Sequence, residues 1–264
     1  MSDKRKIGII DSGVGGLTVV KEFSRLLPDE SIIYLGDNKN VPYGNKTEEE
    51  IISLTKKMID FLIEKDVKLI AVACNTISSL LERYFLDSKI PIVSIINPAT
   101  HYVNKGEFKS VGVVATRFTI GTNIYEELLN GEDKDLKVVS ESIPTLAGLI
   151  DSGNYSEQEI LDVIRPAIES ILEQSPVEDI ILGCTHYPIV IDKFKQMGPG
   201  INFINPAYEQ TRYVKKILRV KDLMTKENHS SFEVYTSGKK ETYIKMLEKL
   251  GIKAADRIYE IKEF

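Results

Sequence analysis

Only two cysteines occur in the 264 residues, Cys74 and Cys184, and so small an inventory closes off several uses of that residue. Two thiols cannot staple a small disulfide framework. A structural zinc site normally draws four Cys or His ligands, often at close spacing, and of the three histidines His101 and His229 fall in no such pattern. The C-x-x-C spacing of a thioredoxin-like redox pair is absent as well. No apolar run approaches the length of a membrane span, and MSDKRKIGII passes from charges straight into a short apolar segment without the core of a signal peptide. A cytoplasmic protein is expected. Excess positive charge is missing too: 34 basic against 39 acidic residues give a net charge of -5 and a pI near 5.5. Neither a nucleic-acid partner nor an anionic membrane is expected of such a chain. With 42% hydrophobic and 28% charged residues, what remains is an ordinary globular composition, long enough for one large domain or two modest ones.

Apolar runs of strand length alternate with longer helical patterns along the whole chain. Strands are expected at 6–10, 31–35, 68–73, 91–95, 110–114, 136–140, 179–183, 201–204 and 231–236, and their near-continuous Val and Ile content suits parallel strands covered on both faces. Thr47 with Glu50, and Ser156 with Glu159, fit the capping box that opens a helix. After Thr47, the residues Ile51, Leu54, Met58, Phe61 and Leu62 form one apolar helical face. The class is α/β.

An internal echo is more informative. Lys6-Ile-Gly-Ile-Ile resembles Ser110-Val-Gly-Val-Val, Ala73-Cys-Asn-Thr resembles Gly183-Cys-Thr-His, and Asn97-Pro-Ala resembles Asn205-Pro-Ala, in the same order. Two pseudo-symmetric lobes are implied, each with a mainly parallel sheet flanked by helices and a cysteine at the C-terminal end of a buried strand. In open α/β sheets ligands bind at that end, so the site is expected in the cleft between the lobes. The stretch after about residue 208 has no counterpart in the repeat and is expected to return to the first lobe, giving lobes of residues 1–97 with 208–264 and of residues 98–207.

Asp11-Ser-Gly-Val-Gly-Gly follows the first strand and leads into a helical pattern. A dinucleotide fingerprint would want a third glycine where Thr18 stands, although Asp37 sits where a ribose-binding acid would be looked for. The same loop suits a small anion, with Asp11 as a proton-handling or orienting group, or simply a tight turn. Cys74 is followed by Asn75 and Thr76, which can cap the next helix, and Cys184 by Thr185 and His186. A free cysteine often packs as a small hydrophobe. Two of them at matching strand ends also suit a pair of thiols on opposite sides of one carbon, one removing a proton while the other delivers one. Each would need a helper, since a typical thiol is only slightly ionised at neutral pH. Asp11 near Cys74 and His186 near Cys184 can fill those posts.

Together DSGVGGLTV, VPYG at 41–44, ACNT at 73–76 and GCTHYP at 183–188 resemble the glutamate racemases of the aspartate/glutamate racemase family, and the resemblance runs over essentially the whole chain. It implies a cofactor-independent isomerase, without metal or pyridoxal phosphate, that supplies D-glutamate for peptidoglycan. By that likeness Cys74 takes the α-proton of D-glutamate and Cys184 that of L-glutamate. The substrate contacts it implies are Asp11, Ser12, Pro42, Tyr43, Gly44, Asn75, Thr76, Thr185 and His186. An acidic helper, usually glutamate, falls at Asp151. None of these motifs holds an arginine, so an anionic amino acid would be held by amides, hydroxyls and helix ends.

The chain departs from the family pattern at Asn97 and Asn205, where acidic residues are usual, and at Asp151, one methylene shorter. These departures leave room for an aspartate or other amino-acid racemase, and a catalytically silent amino-acid-binding protein is the rival from another class. No N-terminal extension of the kind seen in precursor-activated members is present, so that control is not expected. A homodimer is expected only because dimers are the commonest assembly. Tyr34, Tyr84, Tyr102, Tyr125 and Tyr213 read as core or interface packing, Lys239 and Lys240 as a solvated face, and residues 144–154 as a loop.

Overall fold

The computed structural model describes residues 3–85, 88–132, 135–226 and 230–264; His229 lies outside them. The strands are β1 (Ile7–Asp11), β2 (Ile32–Gly36), β3 (Leu69–Val72), β4 (Ile92–Ser94), β5 (Ser110–Ala115), β6 (Lys137–Ser142), β7 (Asp179–Gly183), β8 (Asn202–Ile204), β9 (Phe232–Thr236) and β10 (Arg257–Glu260). Between them run α1 (Leu17–Leu26), α2 (Glu48–Glu64), α3 (Asn75–Ser78), α4 (Leu81–Tyr84), α5 (Ile96–Lys105), α6 (Arg117–Gly121), α7 (Ile124–Glu132), α8 (Leu146–Ser152), α9 (Glu157–Gln174), α10 (Ile191–Met197), α11 (Pro206–Val220) and α12 (Lys240–Leu250).

Two wholly parallel sheets result. One has the order β10-β9-β2-β1-β3-β4 and the other β6-β5-β7-β8. Superposing β1 on β5 maps β2, β1, β3, β4 onto β6, β5, β7, β8, so the sequence echo follows one topology used twice. The last two strands extend the first sheet alone, β9 pairing with β2. Both capping boxes are made, Thr47 and Ser156 each accepting from the backbone three residues on. Ile7, Ile9, Val103, Val111, Val113 and Val214 belong to one apolar core that runs from one sheet to the other by way of α5 and α11.

Several expectations need correction. The buried face of α2 is Ile51, Thr55, Met58, Ile59 and Leu62, with Leu54 and Phe61 half-buried at its margin. Strand β10 was not expected, because Arg257-Ile-Tyr-Glu is a short edge strand with charged ends and too little apolar sequence to stand out. The stretch 144–154 is mostly helix, α8. Cys74 itself takes the cap position of α3, with Asn75 and Thr76 inside the first turn. Tyr84, Tyr102 and Tyr213 are exposed, which takes them out of the core and leaves only the interface half of that expectation.

One ionic contact fastens the far end of the first sheet. Lys68, just before β3, has its Nζ 2.6 Å from Glu30, with both side chains essentially inaccessible. The ammonium also donates to the carbonyls of Asp3 at 3.0 Å and Leu223 at 2.8 Å, while Glu30 accepts from the Thr225 amide at 2.9 Å. Removing one member strands a buried charge, which costs roughly 3–5 kcal/mol. Lys68→Met is expected to lower the unfolding free energy obtained from urea titration by that order, and a second change, Glu30→Leu, to recover most of the loss. A single variant as stable as wild type would contradict this.

Candidate active site

The C-terminal ends of β1, β3, β5 and β7 converge on one small cavity of about 40 Å³, lined by Ser12, Val41, Pro42, Tyr43, Gly44, Cys74, Asn75, Thr76, Thr116, Ala147, Gly148, Asp151, Gly183, Cys184, Thr185 and His186. Both thiols are therefore on one cavity wall or another, and both are buried and unbridged. No arginine or lysine lines it. Among the described residues no group of three or more His, Cys, Asp and Glu is placed to hold a metal ion.

On the four-stranded side the Cys184 sulfur lies 3.8 Å from Nδ1 of His186, whose Nε2 lies 2.7 Å from Asp151 on α8. Burial alone would discharge this ring, but the Asp151 carboxylate and its hydrogen bond outweigh it, and with Cys184 they hold His186 well above the ordinary histidine range. The imidazole is thus kept protonated and oriented, with Nδ1–H toward the sulfur. The glycine loop of the other sheet makes room for it. A Cβ on Gly15 would stand 2.5 Å from His186 Nδ1 and 2.6 Å from Thr185 Oγ1. Thr18, the residue that breaks the dinucleotide fingerprint, has its hydroxyl 3.0 Å from the Thr185 carbonyl and so ties the loop to the opposite lobe.

Cys74 has a different neighbourhood. Its sulfur lies 3.7 Å from the Ser12 hydroxyl, and burial, reinforced by the nearby Asp11 charge, pushes the thiol up to about 12. Asp11 is itself fully buried; its carboxylate accepts from the Gly13 amide at 3.0 Å and from the Thr185 hydroxyl at 3.1 Å. Burial raises its pKa to about 6, against the opposing pull of the His186 charge.

Because the folded value exceeds that of the unfolded chain, ionised Asp11 opposes folding. The penalty is nil below the unfolded pKa near 4, grows between there and 6, and is constant above. Asp11→Asn is expected to be more stable than wild type at pH 7, by on the order of 2 kcal/mol once the weakened Thr185 contact is allowed for, and to lose that advantage as the pH falls to 4. Chemical denaturation at several pH values would check both the sign and the window.

The rest of the wall is neutral donors. Thr76, Thr116 and Thr119 place their hydroxyls within 3.0–3.4 Å of one another. Asn75 accepts at Oδ1 from the Tyr125 hydroxyl at 2.7 Å, while its buried Nδ2 finds no partner among the described residues. Tyr43 donates at 2.7 Å to Asp37, which also accepts from Asn40 and Ser237. That carboxylate anchors the 37–45 loop and is not open to a ribose, so the dinucleotide reading is discarded.

Of the residues singled out in the sequence, the structure brings Cys74, Cys184, His186, Asp151, Ser12, Pro42, Tyr43, Gly44, Asn75, Thr76 and Thr185 onto the cavity wall. Asp11 is the exception: it lies behind the wall, tied to Gly13 and Thr185. Asn97 and Asn205 are elsewhere. Asn97 is in the first turn of α5, and Asn205 caps α11 by accepting from Ala207 at 3.1 Å, so neither shapes the cavity. Thr116 was missed. The echo already pointed to it, since Thr116 follows Ser110–Ala115 as Ser12 follows Lys6–Asp11.

Residues 7–212 match the Asp/Glu/Hydantoin racemase family. The chain belongs to this family. A glutamate racemase of Bacillus cereus is 36% identical to this racemase over 243 residues, 90% of each chain. The crystal structure of a glutamate racemase isoform from Bacillus anthracis overlays on it with a TM-score of 0.91 at 31% identity, over 97% of both chains. That of the Francisella tularensis glutamate racemase, solved in complex with D-glutamate, gives a TM-score of 0.89 at 28% identity over 98% of both. Like them, the racemase has two parallel sheets flanked by helices. Among its described residues no helix is long and apolar enough to cross a membrane.

Proposed function

We propose that this racemase interconverts L- and D-glutamate by direct proton transfer between its two cysteines, with no cofactor, and that it supplies D-glutamate for peptidoglycan. The observation that carries the reading is the arrival of two thiols at one cavity from pseudo-equivalent strands, Cys74 after β3 and Cys184 after β7. The relatives named above, with D-glutamate in one of them, support glutamate as the substrate.

In the L-to-D direction the Cys184 sulfur, starting as a thiolate, accepts the α-proton of L-glutamate and becomes a thiol, while Cys74 starts as the thiol and is left as the thiolate. The C–H bond breaks, its electron pair stays on the α-carbon, and the Cys74 S–H bond breaks as that proton is delivered to the opposite face. The D-to-L direction reverses every transfer. His186, charged and fixed by Asp151, donates its Nδ1–H toward the Cys184 thiolate and stabilises it before the α-proton arrives. Cys74, held as a thiol at neutral pH, is the ready donor, with Ser12 against its sulfur and Asp11 behind. Asn75, Thr76, Thr116 and the backbone amides of Gly44 and Thr185 supply the neutral donors that hold two carboxylates without a cation.

A cavity of about 40 Å³ has room for a few waters and not for a whole amino acid. We therefore take residues 1–97 with 208–264 and residues 98–207 as two bodies that part to admit substrate and close to exclude water. A cytoplasmic homodimer binding neither nucleic acid nor membrane is the form we assign. The test is turnover of L-glutamate in heavy water. Deuterium should enter the α-position as optical rotation is lost; full retention of the α-hydrogen in racemised product, or no turnover of glutamate beside rapid turnover of aspartate, would overturn the assignment.

A further inference from the structure

Each cysteine is followed by a polar residue on the cavity wall, Asn75 after Cys74 and Thr185 after Cys184, and each of these is oriented from the opposite lobe. Thr185 donates to Asp11 at the end of β1, and Asn75 accepts from Tyr125 on α7. The crossing matters most for Asn75, because an amide has two unlike ends. With Oδ1 engaged by the Tyr125 hydroxyl at 2.7 Å, Nδ2 is the end left over, buried and without a partner among the described residues, on a side chain that lines the cavity.

Tyr125 is built to hold this bond. Its ring is 1% exposed and Asn75 is 2% exposed, so water does not compete for either. Gly183 makes space for it, since a Cβ there would lie 3.3 Å from Tyr125 Cε2. Burial and the nearby Cys184 raise the phenol well above its ordinary value, so the hydroxyl keeps its proton and remains a donor. An amide turned the other way would face an anionic substrate with its carbonyl oxygen. A carboxylate gains a charge-assisted hydrogen bond from one orientation and repulsion from the other.

We infer that Tyr125 is a positioning residue for substrate binding: it locks the Asn75 amide with its N–H groups toward the cleft, where they receive a carboxylate of the amino-acid substrate. The identity of that substrate rests on the glutamate reading above.

Tyr125→Phe removes one oxygen and keeps the ring. It is expected to raise KM for both enantiomers about tenfold while kcat changes less than about threefold, the loss of one charge-assisted bond made in the ground state. Added to Asn75→Ala, which already lacks the amide, the same change should alter kcat/KM by less than about twofold, since residues acting through one another are not additive. Side-chain amide relaxation of ¹⁵N-asparagine-labelled protein reads the lock directly: Asn75 rigid in wild type, mobile or reversed in Tyr125→Phe. Unchanged KM, additive losses in the double variant, or an Asn75 amide equally mobile in both proteins would each overturn the inference. Wild type that is inert toward glutamate but has a rigid Asn75 released by Tyr125→Phe would overturn the glutamate reading alone.

Discussion

Cys74→Ala and Cys184→Ala are each expected to lower glutamate racemisation by roughly 10³-fold or more, the contribution of a positioned proton-transfer group. On the proposed mechanism each thiol acts in both directions, as base for one enantiomer and as acid for the other, so neither loss spares one direction. The fold should survive, because the cysteines are small and are 6% and 7% exposed. The two variants are predicted to differ in what they retain. Cys184→Ala keeps the thiol facing the α-proton of D-glutamate, and Cys74→Ala the one facing that of L-glutamate, so residual α-deuterium exchange in heavy water should be confined to one enantiomer in each. Circular dichroism follows the racemisation and proton NMR the exchange. A variant within about tenfold of wild type, or exchange of both enantiomers by a single-thiol protein, would refute the paired-thiol mechanism.

What made this mechanism legible in the sequence was position along the chain more than residue type. The runs ending at Ile10, Val72, Val114 and Leu182 are continuous enough in Val, Ile and Leu to mark buried parallel strands, and the residues just beyond such strands are those that reach a cleft. Cys74 and Cys184 are found in that way, whereas Ser12 and Thr185 enter through the likeness to the glutamate racemases. Thr116 follows from the same logic, but its strand ends in Ala115 where β1 ends in Asp11, and without a charged residue the position attracted no notice. Tyr125 was hidden for a different reason. A tyrosine on a helix that packs between lobes looks like core, and only the tertiary contact to Asn75 shows that its hydroxyl is engaged in orienting an amide. Asp37 shows the opposite case, an acid at a suggestive strand end whose carboxylate is consumed by Tyr43, Asn40 and Ser237.

The duplication is broken where the chemistry is. Carrying the echo residue by residue sets Asp11 against Ala115 and Thr76 against His186, so each thiol received its ionisable neighbour from a different place in the repeat. Cys184 has a charged imidazole two residues along its own turn, backed by Asp151. Cys74 has a hydroxyl beside it and a carboxylate behind, with a value of about 6 that leaves Asp11 ionised at neutral pH. The surroundings thus favour a proton on the Cys74 sulfur and a donor beside the Cys184 sulfur. On the proposed mechanism, that is the state that receives L-glutamate.

This asymmetry gives His186→Asn a distinctive expected signature. The variant loses the charged donor that stabilises the Cys184 thiolate, and kcat/KM should fall roughly 10²–10³-fold. The fall must be equal in the two directions, because enantiomers are equally stable in water and the ratio of the two kcat/KM values is fixed at unity by the equilibrium. Isotope effects are not so constrained. With proton transfer at Cys184 made rate-limiting, α-deuterated L-glutamate should show a full primary effect on kcat/KM, since that sulfur breaks the C–D bond. With α-deuterated D-glutamate the bond is broken by Cys74 in a step that is now fast and reversible, so the substrate effect should shrink and a solvent isotope effect on delivery from Cys184 should take its place. Asp151→Asn, which leaves the ring but removes the carboxylate that holds it 2.7 Å away, is expected to show the same pattern at smaller amplitude. Equal substrate isotope effects from the two enantiomers in His186→Asn would mean that His186 serves both thiols alike, and the division of labour between the lobes would have to be abandoned.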